Sequence, residues 1–249
     1  MNEPPTVAFV PGNGHVDARL APARAAVERL DPPDRFDVRS IDYGAHGTFD
    51  ALLDGVRAES DGSDLVYATG IGGLVVLALR ARGDLLDVPT ILQGPVLWGL
   101  ETRRFPRLMR LPGMPNALVA ALSTPAIRRR FERRHFARPL EEPLRSTFFD
   151  GYRDARAFAR WFGWLTPALL RRLEESLGGR DDLVRGIDAW WGLRDHVVTP
   201  EELERTERAL NVSIPLRTFA DWSHYPMIDA PDDWVREVSR ALASAPRVD

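Results

Sequence analysis

Short apolar runs alternate with amphipathic stretches over the first hundred residues. The apolar runs contain β-branched or aromatic residues and end at glycine or polar turns, which is typical of buried strands. They predict strands at residues 6–10, 36–43, 64–69 and 89–94. The intervening stretches predict helices at residues 21–30, 48–59 and 74–79. This alternation indicates an α/β fold with a mostly parallel central sheet flanked by helices, because right-handed crossovers join parallel strands in this way.

The pattern changes between about residue 100 and residue 180. Strand signals are absent there, and arginines and bulky apolar residues recur at helical spacing between prolines. We therefore predict an all-helical cap insertion at residues 100–180, with the core formed by residues 1–99 and 181–249. In the second part of the core, the pattern predicts strands at 187–191 and 215–220 and helices at 200–210 and 232–242.

The composition is that of a soluble globular protein, with 44% hydrophobic and 28% charged residues. The net charge of −3 gives no global attraction to nucleic acid or to an anionic membrane, so neither is expected as a partner. The sequence contains no cysteine, which excludes disulfides, thiolate nucleophiles and cysteine metal ligands. No apolar run approaches the ~20 residues of a membrane span, and a cytoplasmic location is expected.

The loop after the third predicted strand has the pattern of a sharp strand-to-helix turn. Its residues 68–72 read Ala-Thr-Gly-Ile-Gly, with small residues two positions before and two positions after Gly70. Such flanks allow the close backbone approach that this turn needs, so Gly70 is predicted at its tip. Thr69 carries the nearest hydroxyl, but its own flanks would be the bulky Tyr67 and Ile71, so we do not predict it as a nucleophile.

An acid and a histidine follow the later strands, at the sheet edge where open α/β sheets bind ligands. Asp195 comes just past the strand at 187–191, and His224 lies between the last strand and the last helix. Separately, Asp195 has an ordinary interpretation as a helix cap, and His224 as a hydrogen-bonded loop residue. At this sheet edge, the histidine could meet the carboxylate and face Gly70.

The order of turn, acid and histidine resembles the α/β-hydrolase superfamily over nearly the whole chain. Four further segments are similar to that family's motifs: Val-Pro-Gly-Asn at 10–13 to its oxyanion loop, residues 42–47 to its Asp-x-x-Gly-x-Gly segment, Gly-Leu-Arg-Asp at 192–195 to its acid motif, and residues 223–226 to its histidine motif. The sequence departs from the family at the nucleophile, because glycine occupies the place of the serine in Gly-x-Ser-x-Gly.

The resemblance implies a role for each of these residues. Asp195 would fix the tautomer of His224, and His224 would be the general base. The backbone N–H groups of Asn13 and Ile71 would form an oxyanion hole, which glycine at position 70 leaves intact. Since Gly70 cannot form an acyl-enzyme, the ordinary esterase route is not expected.

Residues near these loops complete the predicted pocket. The pocket candidates are His15, Thr69, Gln93, Trp98, Trp161, Trp164 and Tyr225. Trp161 and Trp164 are expected first as packing within the cap, and where they also face the pocket they would suit an apolar or aromatic small molecule. We interpret the arginine-rich run at 128–135 as the solvated face of a cap helix rather than a nucleic-acid site. Gly12-Asn13-Gly14 lacks the third glycine of a dinucleotide fingerprint, and neither a cofactor nor a metal is predicted.

Three functional hypotheses remain open from the sequence. The first is an enzyme without a serine nucleophile, in which the His–Asp dyad and the oxyanion hole act on a small carbonyl compound, by a lyase-, cyclase- or isomerase-like step or by direct water attack. The second is a non-catalytic pseudo-hydrolase that binds a ligand or a partner. The third is a serine hydrolase in which glycine has been substituted for the serine.

Overall fold

A computed structural model describes residues 3–43, 46–100 and 104–244 of the chain. Six parallel strands form one sheet there, in the order β2–β1–β3–β4–β5–β6. The strands are β1 Thr6–Val10, β2 Asp37–Ser40, β3 Leu65–Thr69, β4 Thr90–Gln93, β5 Ile187–Gly192 and β6 Leu216–Phe219. Every residue of β3 and β4 is buried, as expected when helices cover both faces of a parallel sheet.

Helices precede, interrupt and follow the strands of this sheet. The first three are α1 Ala21–Val27, α2 Phe49–Ser60 and α3 Gly72–Ala81. Between β4 and β5 lie α4 Arg104–Met109, α5 Met114–Leu122, α6 Pro125–His135, α7 Leu144–Asp150, α8 Ala155–Trp164, α9 Pro167–Leu177 and α10 Asp181–Val184. The last three are α11 Glu201–Leu210, α12 Pro226–Asp229 and α13 Pro231–Ser244.

The predicted fold class is confirmed: a parallel sheet is flanked by helices, and the described residues between β4 and β5 contain no strand. Two predicted elements are shorter than expected by three residues or more. The strand predicted at 36–43 spans only Asp37–Ser40, and the helix predicted at 21–30 ends at Val27, where turns of the shorter i→i+3 type follow. Residues 44 and 45 of the family-like segment at 42–47 lie outside the described residues.

The strand order creates a crevice at the carboxyl edge of the sheet. The chain leaves β1 toward β2 on one side and later crosses to β3 on the other side. The loops after β1 and β3 therefore diverge, and such a switch point is where open α/β sheets bind ligands. This topology brings the loop that begins at Pro11 next to the turn at Gly70.

Helix α3 starts in direct contact with the end of β1. A Cβ atom on Gly72 would lie 2.4 Å from the carbonyl oxygen of Val10 and 2.9 Å from that of Pro11. Only glycine permits this approach without a backbone shift. Apart from Arg80, the rest of α3 is apolar, and nearly all of the helix is buried, so it is fixed both by its core contacts and by its first turn.

In the described part of the chain, no helix has the length and apolar character that crossing a membrane requires.

We predict that Gly72→Ala lowers the free energy of unfolding by ~1–3 kcal/mol or more, because the new methyl group collides with backbone atoms that cannot easily move. Chemical denaturation would measure the change. Gly163→Ala is the matched control, since Gly163 lies in α8 with no atom within 4 Å of the new methyl group. That variant should be neutral or stabilised by up to ~1 kcal/mol, as expected for alanine in a helix. Equal stability of the two variants would contradict the close packing of α3 on β1.

Candidate active site

Gly70 occupies the tip of the turn between β3 and α3. Its φ of +52° lies in the left-handed region that glycine adopts without strain. Its N–H donates to the carbonyl of Gln93 at 3.3 Å, and its own carbonyl accepts from Gly73 at 3.2 Å and from Val96 at 2.9 Å. The turn is thus held from both sides, and its tip faces the crevice.

The space beside Gly70 is large enough for a side chain. A Cβ atom there would lie 3.8 Å from the Cα of Gly12 and 4.0 Å from Nε2 of His224, both ordinary van der Waals distances. The surrounding atoms would therefore not clash with a Cβ atom at position 70. The same distances place the imidazole of His224 directly across from the tip.

His224 is held in place by Asp195. Nδ1 of His224 lies 2.7 Å from Oδ2 of Asp195, and both side chains are buried. The other carboxylate oxygen accepts hydrogen bonds from the backbone N–H groups of Val197 at 2.7 Å and Val198 at 3.0 Å. Because an ionised carboxylate only accepts, Nδ1 carries the proton, and in the neutral ring the lone pair is on Nε2.

The environment keeps Asp195 ionised. Burial by itself would raise the pKa of this carboxyl, but the charge of His224 and its hydrogen bond act in the opposite direction, together with the two backbone donors. The net result is a pKa of Asp195 below its ordinary value. The carboxylate is therefore available as a permanent acceptor for Nδ1 of His224.

The dyad also depends on a glycine that the sequence analysis did not select. Gly94 follows β4 and has a φ of +46°. A Cβ atom on it would lie 2.9 Å from Oδ2 of Asp195 and 3.5 Å from Nδ1 of His224. The backbone of this loop packs directly against the hydrogen bond between the two side chains. The available signal was a glycine at the carboxyl end of the strand predicted at 89–94, at the same sheet edge.

Backbone donors border the same space. Asn13 and Ile71 both line the cavity, and neither of their N–H groups donates to any described residue. The loop that carries Asn13 is fixed by the N–H of Gly12, which donates to Oγ1 of Thr69 at 2.9 Å. Tyr43 donates its hydroxyl to the carbonyl of Pro11 at 2.5 Å. The loop that carries Asn13 is thus fixed beside the turn at Gly70.

A cavity of about 340 Å³ opens in front of His224 and Gly70. This volume is within the range of pockets for small organic molecules. Most of the lining is apolar, and much of it comes from the helices between β4 and β5. Its bulky contributors include Phe105, Leu118, Phe131, Tyr152, Phe162 and Val197.

Solved structures show which known architecture this arrangement belongs to. An α/β hydrolase fold protein from Burkholderia ambifaria superposes with a TM-score of 0.68 at 19% identity, over 96% of this chain and 91% of that one. The chain has the α/β-hydrolase fold. The haloalkane dehalogenase DbeA from Bradyrhizobium elkani USDA94 gives 0.65 at 16% identity over 98% and 92% of the two chains.

A membrane phospholipase A described as a bacterial virulence factor gives a TM-score of 0.59 at 17% identity, over 97% of this chain and 79% of that one. No protein-family model and no curated protein sequence matches the chain. The likeness is therefore one of three-dimensional architecture at low sequence identity.

Within the α/β-hydrolase fold, two of the predicted pocket residues line the main cavity. Tyr225 follows His224 directly, and its hydroxyl lies 3.5 Å from that of Tyr152. Thr69 also lines the cavity, but its hydroxyl oxygen is engaged by the N–H of Gly12. Thr69 thus anchors the loop after β1.

The other five candidates lie away from this cavity. Gln93 is fully buried in the core, where it accepts a hydrogen bond from Tyr67 at 3.1 Å. Trp98 donates to Glu174. The last three pack against other side chains: His15 against Phe9 and within 2.9 Å of Ser40, Trp161 against Tyr43, and Trp164 against Phe49. Their positions in sequence near the crevice did not determine which way the side chains point.

His135, at the end of α6, lines the cavity but was not predicted from the sequence. The arginine-rich run at 128–135 was expected to be a solvated face, but Glu132 and His135 are buried, and His135 lines the cavity. The imidazole rings of His135 and His224 have centroids 5.8 Å apart. The carbonyl of His135 also accepts from the backbone N–H of His224 at 3.2 Å. The spacing of 128, 131, 132 and 135 on one helical face was the signal for this buried stripe.

Burial and the neighbouring His224 lower the pKa of His135 to about 3. The ring is therefore neutral at physiological pH. Burial similarly lowers the pKa of His15 to about 3. In the part of the chain that the structure covers, no group of three or more acidic or histidine side chains is placed to hold a metal ion.

We predict that the free energy of unfolding falls as the pH decreases from about 6.5 toward 3. In that window the unfolded chain binds a proton at His135 and the folded chain does not, so acid favours unfolding by up to ~1.4 kcal/mol per pH unit for this group. Urea titrations between pH 7 and pH 4 would measure the slope.

The variant His135→Asn should lose this share of the slope and keep the share due to His15. His196→Asn, at an exposed histidine, is the matched control and should behave like the parent protein. Identical slopes for the parent protein and His135→Asn would show that His135 is not buried in its neutral form.

Proposed function

We propose that this chain is a cofactor-free enzyme in which His224, oriented by Asp195, acts as general base on a small, largely apolar carbonyl compound. One observation carries the proposal: Nε2 of His224 lies 4.0 Å from the point that a side chain on Gly70 would occupy, with Nδ1 on Asp195 and a cavity of about 340 Å³ in front. The base is therefore oriented and has room for a reactant beside it.

The source of the proton in the proposed reaction follows from the absence of a side chain on Gly70. With no hydroxyl at position 70, the proton that His224 accepts comes from a water molecule or from the substrate itself. A deprotonated water would add to the carbonyl carbon, and the resulting oxyanion would receive hydrogen bonds from the N–H groups of Asn13 and Ile71. Protonated His224 would then return the proton to the leaving group.

The same groups also support a reaction without water. If His224 removes a proton from a substrate carbon next to the carbonyl, the enolate oxygen occupies the site of the oxyanion. Return of the proton to another atom gives an isomer, and loss of a leaving group gives a lyase product. General-base help of this kind contributes about 10²–10⁴-fold in rate, which suffices for catalysis without a covalent intermediate.

The side chains that the helices between β4 and β5 contribute to the cavity favour an apolar substrate. We propose that residues 100–180 form a cap over a core of residues 1–99 and 181–249, because α4, α5, α6 and α8 all contribute to the lining of the cavity. Their aromatic side chains exclude water and offer flat apolar surface. A compound that carries an aromatic ring fits this lining better than a charged metabolite does.

A non-catalytic ligand-binding protein is the second candidate. It is favoured by the lack of a nucleophile at the turn, since Gly70 has no side chain and the hydroxyl oxygen of Thr69 is engaged by Gly12. An apolar cavity of this size binds small molecules without transforming them. In that case, a bound ligand would be recovered chemically unchanged.

The space for a side chain at Gly70 also suits the third hypothesis, a serine hydrolase with a substituted glycine. That hypothesis requires the protein with glycine to be inert toward every substrate.

We predict that His224→Ala lowers kcat/KM about 10²–10⁴-fold for any substrate that the protein turns over, since the base is lost. A panel of aromatic ketones, esters and β-dicarbonyl compounds, followed by mass spectrometry in water enriched in ¹⁸O, would find that substrate and show whether water is incorporated. His196→Ala is the matched control, because His196 follows Asp195 in sequence but is exposed. Its turnover should stay unchanged.

Turnover by His224→Ala equal to that of the parent protein would remove the proposed base. Ligands that bind and are recovered unaltered from the parent protein across the whole panel would favour the binding protein instead.

A further inference from the structure

His135 presents a hydrogen-bond acceptor to the cavity. Its Nδ1 lies 2.8 Å from the carbonyl oxygen of Phe131. A carbonyl oxygen only accepts hydrogen bonds, so Nδ1 must be the protonated nitrogen of the ring. In the neutral imidazole, the other nitrogen, Nε2, then carries a lone pair.

The lone pair on Nε2 of His135 is open to a ligand. No described residue hydrogen-bonds with this atom, and it is not among the buried polar atoms enclosed without a partner. His135 lines the cavity, one face of its ring is covered by Phe131 and its Nδ1 is occupied by the carbonyl of Phe131, so we infer that a bound molecule reaches the ring at its Nε2 edge. The nitrogen remains an acceptor at neutral pH, because its burial opposes protonation.

The ring of His135 is held rigidly in this orientation. It stacks on Phe131 with a centroid separation of 3.8 Å and an interplanar angle of 5°. It is also nearly parallel to the ring of Tyr225, with centroids 6.0 Å apart and an interplanar angle of 14°. Its backbone carbonyl is bonded to the backbone of His224. A ring fixed by stacking and by its hydrogen bond to Phe131 gives a preorganised acceptor, which lowers the entropic cost of binding a matching donor.

The cavity is thus lined by two imidazoles that are protonated at the same ring nitrogen, Nδ1. Each donates Nδ1–H to a protein oxygen, Asp195 for His224 and Phe131 for His135, so Nε2 is in each ring the nitrogen not used by that partner. The ring centroids are 5.8 Å apart, a separation that a substituted aromatic ring can span. The surrounding side chains are mainly aromatic, so a polar group buried there without an acceptor would lose its hydrogen bonds to water.

We propose that His135 determines substrate specificity: its Nε2 accepts a hydrogen bond from a hydroxyl or N–H group of the substrate, which is an aromatic carbonyl compound with a donor substituent. The inference rests on the proposed function, since it assigns the substrate class of the same cavity. His224 acts on the reacting group, and His135 binds a second group that does not react. Ethers and unsubstituted rings of the same size leave the acceptor unpaired and bind more weakly.

Two substitutions separate the acceptor from the structural role of His135. The amide of asparagine can take the place of Nδ1 and donate to Phe131, but it does not reach the position of Nε2. The amide oxygen of glutamine can reach that position and accept a hydrogen bond. His135→Asn therefore removes the acceptor, whereas His135→Gln retains one.

The first measurement concerns the ring alone. Nitrogen-15 chemical shifts of the histidines at pH 7 report which ring nitrogen is protonated. We expect the Nδ1–H tautomer for His135. A cationic ring or the Nε2–H tautomer would overturn the proposal without any ligand.

The second measurement is calorimetric binding of meta- and para-hydroxyacetophenone, each compared with its methoxy counterpart and with acetophenone. At least one hydroxyl isomer should bind the parent protein about two- to tenfold more tightly than its methoxy counterpart, the value of one neutral hydrogen bond. His135→Asn should abolish this preference, and His135→Gln should preserve most of it. Circular dichroism would verify that both variants fold.

A full preference for the hydroxyl isomer in folded His135→Asn would overturn the proposal. So would the absence of any such preference in the parent protein, including a failure to bind either isomer. The readout is equilibrium binding, so it stays informative if His224 proves not to be a base. In that event, His224→Ala would keep the preference, and its turnover would equal that of the parent protein or be absent from both.

Discussion

The hydrogen bond between Asp195 and His224 is the interaction on which the arrangement of the site depends. It joins the loop after β5 to the loop after β6, so it forms only when the two strands are adjacent and parallel. The backbone donors of Val197 and Val198 fix the carboxylate, and the carboxylate in turn fixes the imidazole. Without this bond, Nε2 of His224 would have no defined direction, and the space beside Gly70 would be only an apolar cavity.

Glycines make this geometry possible at three contacts around the dyad. Gly72 lets α3 begin against the end of β1, Gly94 lets the loop after β4 pass beside the dyad, and Gly70 forms the tip with a positive φ. The first two are required by steric contact with backbone or with the catalytic candidates. Gly70 differs, because the surrounding atoms leave ordinary space for a side chain. Its φ alone disfavours other residues, at a cost of about 1–2 kcal/mol.

The sequence predicted the fold because its signals are local. Buried parallel strands produce apolar runs such as those of β3 and β4, and the order of loops along the chain gave the dyad before any distance was known. The directions of isolated side chains were not accessible in the same way. Gln93 and Trp98 lie close in sequence to the sheet edge. Their side chains nevertheless form hydrogen bonds with Tyr67 and Glu174, away from the cavity. His135 lies about 90 residues from His224 in sequence, and only the packing of α6 brings the two together.

The proposed roles of His224 and His135 differ because their surroundings differ. Nδ1 of His224 has an ionised partner, Asp195, which is the surrounding that the proposed general base needs. His135 has only a carbonyl partner and lies in apolar surroundings that oppose a charge. We therefore propose different roles for the two imidazoles, His224 as a base and His135 as a neutral acceptor. This difference arises from the partner of Nδ1 and from burial.

We propose that His224, Asp195 and the backbone N–H groups of Asn13 and Ile71 keep a geometry around Gly70 that would activate a nucleophile there. The most direct test is Gly70→Ser, followed by reaction with a fluorophosphonate probe and intact-mass measurement. A hydroxyl placed one bond beyond a Cβ that lies 4.0 Å from Nε2 can reach hydrogen-bond distance of His224. We predict a single covalent adduct at position 70, absent from the parent protein and from Gly70→Ser combined with His224→Ala. A folded Gly70→Ser protein that does not react would contradict the account.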